Sequence, residues 1–150
     1  MRTPLWAGAV LLLAVAACGT SETEEKPVSE PAHDGHVLLD HILIGVRGPR
    51  LPQARMEPEA RVLARSLFDR LRAGGDWAAA KREHSEDPPP GGPYELADHG
   101  VAPAPGAYPR ARMAPAFGDV GFSLKVGETG LAEYDPAKSP FGFHVIKRVR

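Results

Sequence analysis

The feature that most constrains this chain is an apolar stretch, Leu38–Val46, that carries His41 near its centre. Apolar and polar residues do not alternate along it, which is typical of a strand covered on both faces. Gly45 and Pro49 end the stretch too early for a helix, and its isoleucines are β-branched residues that favour strands. A buried imidazole must hydrogen-bond or face a cleft. The sequence therefore predicts a central strand whose histidine is either structural or part of a site.

A second apolar strand with a central histidine is predicted near the C-terminus, at Phe143–Val149. Because side chains alternate between the two faces of a strand, His144, Ile146 and Arg148 share one face. If the two histidine strands are neighbours in one sheet, the imidazoles of His41 and His144 can meet. One neutral ring can then donate a hydrogen bond to the other.

Two helices are predicted after the first strand. Apolar residues recur at spacings of three and four along Glu57–Arg72, and a pair of glycines ends this helix. Asp76 is placed to cap a second helix, Trp77–His84. The next stretch, Pro88–Pro109, is rich in proline and glycine and is predicted to be irregular, because proline fits neither a helix interior nor a central strand.

The remaining elements are short. A helical turn is predicted at Arg112–Phe117, with Met113 and Phe117 on one face as part of either the core or a pocket. A short strand at Leu131–Tyr134 precedes the final strand. The predicted order of strand, helix, helix, loop, short helix, strand and strand is typical of an α+β domain with a small sheet and packed helices.

The N-terminus has the form of an export signal. A basic start is followed by the apolar run Leu5–Ala17, which is too short to span a bilayer. The residues Val15-Ala16-Ala17-Cys18 resemble the lipobox of bacterial lipoproteins, which implies that residues 1–17 are removed and that Cys18 is lipidated. Cys18 is the only cysteine of the chain, and the alternative is an ordinary secretory signal with an unmodified cysteine. Gly19 in place of aspartate favours the outer membrane, facing the periplasm.

Residues 18–35 are predicted to be a disordered acidic tether, because they have no apolar periodicity. A metal site built from His33, Asp34, His36, Asp40 and His41 is an alternative. Nothing fixes the spacing of these residues on a regular element, so no metal is predicted. The tether leaves residues 36–150 for one domain with one core.

The charge of the chain is nearly balanced. Its formal net charge is −1, which gives no electrostatic reason for binding nucleic acid. Three arginines, Arg47, Arg50 and Arg55, follow the first strand. Together they are able to receive an anion such as a phosphoryl group, although solvated loop charges are the alternative.

Several different short motifs are distributed over residues 37–150. In chain order they are His41-Ile42-Leu43-Ile44, Ser85-Glu86-Asp87, Gly91-Gly92, Met113 with Phe117, Phe122-Ser123-Leu124, Val126-Gly127-Glu128-Thr129-Gly130 and Phe141-Gly142-Phe143-His144-Val145-Ile146. Their order and spacing resemble those of the parvulin-type peptidyl-prolyl isomerases. The resemblance implies a small, mostly antiparallel sheet with packed helices, of the FKBP-like superfold.

The family interconverts cis and trans X–Pro bonds without a cofactor, so the resemblance implies an enzyme that acts on unfolded or proline-containing exported polypeptides. By resemblance, His41 and His144 are the paired central histidines and Asp87 is the acid beside the reacting amide. Ser139 falls where the family commonly has a hydroxyl near the site.

The resemblance also implies a proline pocket. Met113 and Phe117 would form its floor, and Tyr94 or Leu96 would close it. In the phosphate-directed branch of the family, basic residues follow the first strand, and Arg47 and Arg50 occupy that stretch here.

The sequence departs from the family at the pocket wall. The usual Gly-Gly-Asp-Leu-Gly is replaced by residues 91–95, Gly-Gly-Pro-Tyr-Glu, and the stretch that leads to Met113 is longer than usual. Ala114 stands where the family often has glutamine. These departures leave an alternative to the enzyme, a parvulin-fold chaperone or peptide-binding module that catalyses weakly or not at all.

Overall fold

The computed structural model describes residues 34–89 and 91–150, in which one five-stranded sheet carries helices on both faces. The strands are β1 (His36–Gly45), β2 (Tyr94–Ala97), β3 (Tyr108–Pro109), β4 (Thr129–Ala132) and β5 (Gly142–Arg148). The helices are α1 (Glu57–Arg72), α2 (Trp77–His84) and α3 (Pro115–Ser123), with a 3₁₀ turn at Arg110–Arg112. None of the helices described is both long and apolar enough to cross a membrane.

The strand order is β3-β2-β1-β5-β4, and every pair is antiparallel except β2 with β3. The α+β fold with a mostly antiparallel sheet is therefore confirmed. Strand β1 lies at the centre, paired with β2 along its first half and with β5 along its second. His41 lies opposite Ile146, and Leu43 lies opposite His144. This register places both histidines on the same face of the sheet, as predicted for neighbouring strands.

Helices α1 and α2 cover the other face of the sheet. Their core residues, together with those of the sheet, are Ile42, Ile44, Val46, Ala60, Ala64, Leu67, Leu71, Ala80, Phe143 and Val145. Helix α1 has Pro58 in its first turn and basic residues in its last turn, both of which favour a helix there. Asp76 caps α2 by accepting a hydrogen bond from the Ala79 amide at 2.9 Å. The predicted bounds of both helices are confirmed.

Helix α3 covers the face that carries the histidines. The core on this side consists of Val37, Leu39, Leu96, Phe117, Phe122, Leu124, Ala132 and Ile146. The helix approaches the sheet closely at Gly121, where a Cβ atom would come within 2.1 Å of Leu39 Cδ1. Strand β1 is thus buried on both faces, which explains why its apolar residues do not alternate with polar ones.

The stretch predicted to be irregular, residues 88–109, contains two strands, and that prediction is wrong for Tyr94–Ala97 and Tyr108–Pro109. The four residues of β2 contain neither proline nor glycine, and pairing with β1 makes them a strand. The helical turn expected at Arg112–Phe117 is also wrong in its bounds, because α3 starts with Pro115 in its first turn. Met113 precedes this helix.

Gly35, the last residue of the predicted tether, contacts the domain. It accepts a hydrogen bond from the Asp98 amide at 2.8 Å. Its φ of +87° is one that glycine adopts readily, and Val101 packs where a Cβ would be. The predicted signal segment, Cys18 and the predicted tether up to His33 lie outside the described residues.

Candidate active site

The two histidines meet around a phenylalanine of α3. The ring centroids of His41 and His144 are 5.3 Å apart. The Phe117 ring meets both in edge-to-face contacts, at 5.2 Å from His41 and 5.4 Å from His144. The histidines are only 2% and 6% exposed. The sheet and α3 therefore enclose a cluster of three rings.

The expected hydrogen bond between the two imidazoles is not formed. Within residues 34–89 and 91–150, Nδ1 of His41 and both ring nitrogens of His144 have no hydrogen-bond partner. The rings are tilted by 44° and contact each other as aromatic groups. His41 Nε2 lies 3.5 Å from Asp87 Oδ2, which is longer than a well-formed hydrogen bond.

Burial keeps both imidazoles neutral at pH 7. It lowers the pKa of His41 to about 4, an effect that the Lys81 charge reinforces and the Asp40 charge opposes. It lowers the pKa of His144 to about 3, with His41 reinforcing the effect and Asp87 opposing it. The cluster therefore carries no positive charge near neutrality.

Tyr94 links the acid to the histidines. Its hydroxyl donates a hydrogen bond of 2.9 Å to Asp87 Oδ2, and its ring stacks on His41 with centroids 5.5 Å apart. Burial, helped by the hydrogen bond to Asp87 and the charge of that carboxylate, raises the pKa of Tyr94 to about 12. Tyr94 is therefore a stable hydrogen-bond donor to the carboxylate.

Asp87 is positioned by the two residues before it. The Leu43 amide donates a hydrogen bond to Ser85 Oγ at 3.2 Å, and the Glu86 amide donates to the Leu43 carbonyl at 2.9 Å. The Glu86 carboxylate accepts from the Gly45 amide and pairs with Arg55. This segment bonds to the second half of β1, at Leu43 and Gly45, where β2 no longer pairs with β1. It thereby brings Asp87 next to His41.

These side chains open onto a cavity of about 390 Å³. Its lining consists of His41, Leu43, Arg50, Leu51, Asp87, Pro88, Tyr94, Arg112, Met113, Ala114, Phe117, Phe141 and His144. Most of these groups are apolar, and Asp87 is the one acid among them. Both lining arginines are exposed, and the guanidinium of Arg50 lies 5.1 Å from the centroid of the Phe141 ring. An apolar pocket with a few convergent polar groups is the usual form of a ligand site.

Comparison with known proteins assigns the family. The model of the PPIC-type PPIase (peptidyl-prolyl isomerase) domain matches residues 25–149. The chain belongs to the PPIC-type PPIase domain family. The predicted resemblance to parvulin-type isomerases is confirmed.

Two relatives of this PPIase domain are folding factors by name. The foldase protein PrsA of Caldanaerobacter subterraneus subsp. tengcongensis is 34% identical over 84 residues, which cover 56% of this chain and 24% of PrsA. The chaperone SurA of Chromohalobacter salexigens is 36% identical over 107 residues, which cover 71% of this chain and 21% of SurA. The chain thus spans about a quarter of the length of the relatives it matches.

A solved structure shares the fold. The solution structure of TbPIN1 superposes with a TM-score of 0.57 at 19% identity, over 79% of this chain and all of TbPIN1.

The structure brings most of the predicted site residues of the PPIase domain to one cavity. These are His41, Asp87, Tyr94, Met113, Phe117 and His144. Arg50 also lines the cavity, whereas Arg47 does not, and its Nε donates a hydrogen bond to the Ala54 carbonyl at 3.0 Å.

Ser139 and Leu96 lie outside the cavity that they were expected to line. Ser139 is fully buried, and its hydroxyl donates a hydrogen bond of 2.7 Å to the Gly142 carbonyl, which holds the turn before β5. Leu96 is fully buried in the core beneath α3, because its neighbour along the same strand face, Tyr94, occupies the position next to the cavity. Tyr94 alone therefore closes this side.

The sequence reasoning missed several lining residues. Leu43 had a readable signal, since it lies two residues after His41 and therefore on the same face of β1. Strand and helix periodicity gave no signal for Leu51, Arg112 and Phe141, because they reach the cavity from turns and irregular segments whose paths depend on tertiary contacts.

The metal-site alternative receives no support. In the described part of the chain, no group of three or more His, Cys, Asp or Glu side chains is placed to hold a metal ion. Asp40 faces α2, where it accepts a hydrogen bond from Trp77 Nε1 at 2.8 Å and pairs with Lys81. It therefore lies on the opposite side of β1 from His41. His33 lies outside the described residues.

Proposed function

We propose that this domain catalyses the cis–trans isomerisation of X–Pro peptide bonds in unfolded, exported polypeptides, without a cofactor. The observation that carries the proposal is the apolar cavity bounded by His41, His144, Asp87, Met113 and Phe117. Membership of the PPIC-type PPIase domain family supports the reaction, and the names foldase and chaperone of the relatives support the substrate class.

The reaction requires no covalent chemistry at carbon. Rotation about the peptide bond breaks amide resonance, which gives an uncatalysed barrier of about 18–20 kcal/mol. A protein lowers this barrier by binding the twisted amide more tightly than either planar form. The cavity therefore needs shape and electrostatics rather than a nucleophile.

Met113 and Phe117 are proposed to hold the prolyl ring. Phe117 is fixed by its contacts with both histidines, while Met113 is only half-buried and borders the opening. Apolar walls also keep water away from the carbonyl oxygen of the substrate. Because hydrogen bonds from water stabilise the charge-separated planar amide, their removal favours the twisted form.

Asp87 and the histidines are proposed to tune the charge around the twisting carbonyl. In the planar amide the oxygen carries partial negative charge, which a nearby cation would stabilise. The imidazoles of His41 and His144 are neutral, so they give no such stabilisation. The Asp87 carboxylate repels that oxygen and so disfavours the planar form.

A second candidate is a peptide-binding module that catalyses weakly. It is favoured by the hydrogen bond from Tyr94 to Asp87, which already engages the acid in the free protein. Tyr94 belongs to the altered pocket wall at residues 91–95, so this bond is a feature of that departure from the family pattern.

A protease-coupled assay with proline-containing tetrapeptides separates the two candidates. We expect acceleration by the wild type and a loss of about tenfold or more in kcat/KM for Phe117→Ala and Asp87→Ala. Phe117→Leu is the variant to use if the alanine variant unfolds, which circular dichroism detects. Val62→Ala, at a position 71% exposed on α1, is the matched control that keeps full activity. Binding of the peptides without acceleration supports the module.

We propose further that the protein is a lipoprotein of the bacterial cell envelope. Residues 1–17 form the signal, Cys18 carries the lipid, and residues 18–35 tether the domain to the outer membrane, facing the periplasm. The lipobox-like residues before Cys18 support this proposal, and more than one acyl chain is needed for stable anchoring.

The anchor is tested by Cys18→Ser in a bacterial host, with fractionation and labelling by a radioactive fatty acid. The wild type is expected in the membrane fraction with label, and Cys18→Ser in the soluble fraction or as an uncleaved precursor, without label. Thr20→Ser is the control. Labelled protein in the Cys18→Ser sample would contradict the assignment.

A further inference from the structure

A row of three aromatic rings leads from the inner wall of the cavity to the surface. The Tyr94 ring stacks on His41 with centroids 5.5 Å apart. On its other side, Tyr94 meets Tyr108 edge to face, with centroids 6.0 Å apart and an interplanar angle of 82°. His41 is buried, Tyr94 is half-buried, and Tyr108 is 44% exposed. The aromatic surface therefore continues past the cavity and is open to solvent at Tyr108.

The register of the sheet places Tyr108 on the face that carries the cavity. Tyr108 lies opposite Leu96, which lies opposite Val37. Residues two apart on a strand share a face, so Val37 is on the same side of the sheet as Leu39 and His41. Strand β3 is the edge of the sheet, so no further strand covers this side of Tyr108 within the described residues.

The segment that carries Tyr108 is held by several polar contacts. Arg110 donates hydrogen bonds to Asp98 at 2.9 Å and to Asp119 at 2.8 Å. His36 Nε2 lies 3.2 Å from the Ala102 carbonyl, and the Asp98 amide is bonded to Gly35. These bonds tie the long stretch before Met113 to β1 and α3. Tyr108 thus lies on an ordered segment, so binding of a ligand does not carry the entropic cost of ordering this segment.

We propose that Tyr108 and the outer edge of Tyr94 form a subsite for an aromatic side chain directly adjacent to the proline of the bound polypeptide. The proposal rests on the proposed function for the place of the proline. Consecutive Cα atoms are ~3.8 Å apart, so a chain whose proline lies in the cavity brings the adjacent side chain within reach of the ring beyond Tyr94. The exposed ring of Tyr108, nearly at right angles to the half-buried ring of Tyr94, suits an aromatic group, which packs edge to face or offset.

By the resemblance described above, both tyrosines fall where the sequence departs from the usual family pattern. Tyr94 belongs to residues 91–95 of the pocket wall, and Tyr108 belongs to the stretch that leads to Met113. The subsite therefore sets a preference of this chain among proline-containing substrates. One favourable aromatic pair changes an affinity by about two- to tenfold, and this is the expected preference.

The test compares three blocked tetrapeptides, Ala-Phe-Pro-Ala, Ala-Ala-Pro-Phe and Ala-Ala-Pro-Ala, by NMR titration of the full domain. We expect the wild type to bind at least one phenylalanine peptide about two- to tenfold more tightly than the all-alanine peptide. In Tyr108→Ala the ratio of these affinities should fall to about one, whereas Tyr108→Phe should keep it. Because each ratio compares two peptides on the same variant, a loss of affinity that is common to all three peptides does not change the ratio.

Two results would overturn the subsite: equal affinity of the wild type for all three peptides, or an undiminished preference in Tyr108→Ala. The same peptides in an isomerase assay separate this proposal from the proposed function. Selective binding without acceleration would overturn the proposed isomerase function and support the subsite. Acceleration without any preference among the peptides would support the isomerase function and overturn the subsite. A failure of all three peptides to bind would overturn both proposals.

Discussion

Three of the four ring nitrogens of His41 and His144 are buried without a hydrogen-bond partner among the described residues. A buried polar atom without a partner costs free energy, which proteins usually avoid. Exceptions occur most often at functional sites, where the free protein tolerates a cost that binding or catalysis uses. Both rings line the cavity, so the pair fits this explanation better than it fits a structural role alone.

The buried histidines predict that the protein loses stability in acid. Their pKa values are near 6.5 in the unfolded chain but about 4 for His41 and about 3 for His144 in the folded protein. Below about pH 6.5 the unfolded state therefore binds more protons than the folded state. The free energy of unfolding falls as the pH decreases from about 6.5 towards the folded-state pKa values of about 4 and about 3. Urea denaturation at pH 7, 6 and 5 measures the slope.

His144→Leu tests the origin of this slope, because leucine does not titrate. The slope between pH 7 and 5 should be shallower in the variant. If the variant does not fold, NMR titration of the wild-type histidine rings gives the same information. Titration of both buried rings near pH 6.5 would contradict the assignment.

At the scale of elements, the site depends on a segment that has no regular secondary structure. Residues 85–87 bond to β1 beyond the end of β2, and Glu86 joins this segment both to the end of β1 and to the loop that carries Arg50 and Leu51. Two walls of the cavity are thus fixed to each other through one carboxylate. Glu86 acts through Asp87 and the loop, so we regard it as a positioning residue.

We predict that Glu86→Ala lowers kcat/KM about tenfold, since a small displacement of groups around a reacting bond has a large effect on rate. The carboxylate and Arg55 are each about a third exposed, so the stability lost should be only about 1 kcal/mol. Peptide assays and urea denaturation provide the two readings. Glu83→Ala, at a residue whose side chain is 69% exposed, is the control. Full activity of a folded Glu86→Ala protein would rule out the positioning role.

The close approach of α3 to the sheet gives a second prediction about elements. Gly121→Ala would bring a Cβ within 2.1 Å of Leu39 Cδ1, so Leu39 or the helix must move. The expected destabilisation is about 1–3 kcal/mol. Gly48→Ala is the control: its φ lies outside the left-handed range, the nearest atom is 4.0 Å away, and its effect should stay within about 0.5 kcal/mol. A neutral result for Gly121→Ala would show that α3 can shift freely.

At the scale of the whole molecule, the described sheet and both described cores are built from residues after Gly35. We therefore predict that a chain beginning at Asp34 folds with the same midpoint of thermal unfolding as the lipid-free chain beginning at Cys18. Its kcat/KM for tetrapeptides should also be the same. Circular dichroism and the protease-coupled assay check both values. A clear loss in either would show that residues 18–33 contribute to the domain.

The amino-acid sequence alone determined the elements whose pattern is local. The continuous apolar run of β1, the three-and-four spacing of α1 and the Asp76 cap of α2 can be read without knowledge of distant contacts, because strand and helix periods are properties of neighbouring residues. The family motifs also predicted His41, His144, Asp87, Met113 and Phe117 as neighbours in one site, and these five residues line one cavity.

Only the tertiary structure decided what depends on residues far apart in the chain. Tyr94–Ala97 becomes a strand through pairing with β1, Leu96 belongs to the core beneath α3, and Ser139 supports a turn rather than the cavity. The two imidazoles lie against each other without the expected hydrogen bond. The physical reason is that strand pairing, burial and ring orientation are set by long-range packing, which overrides local preference wherever that preference is weak.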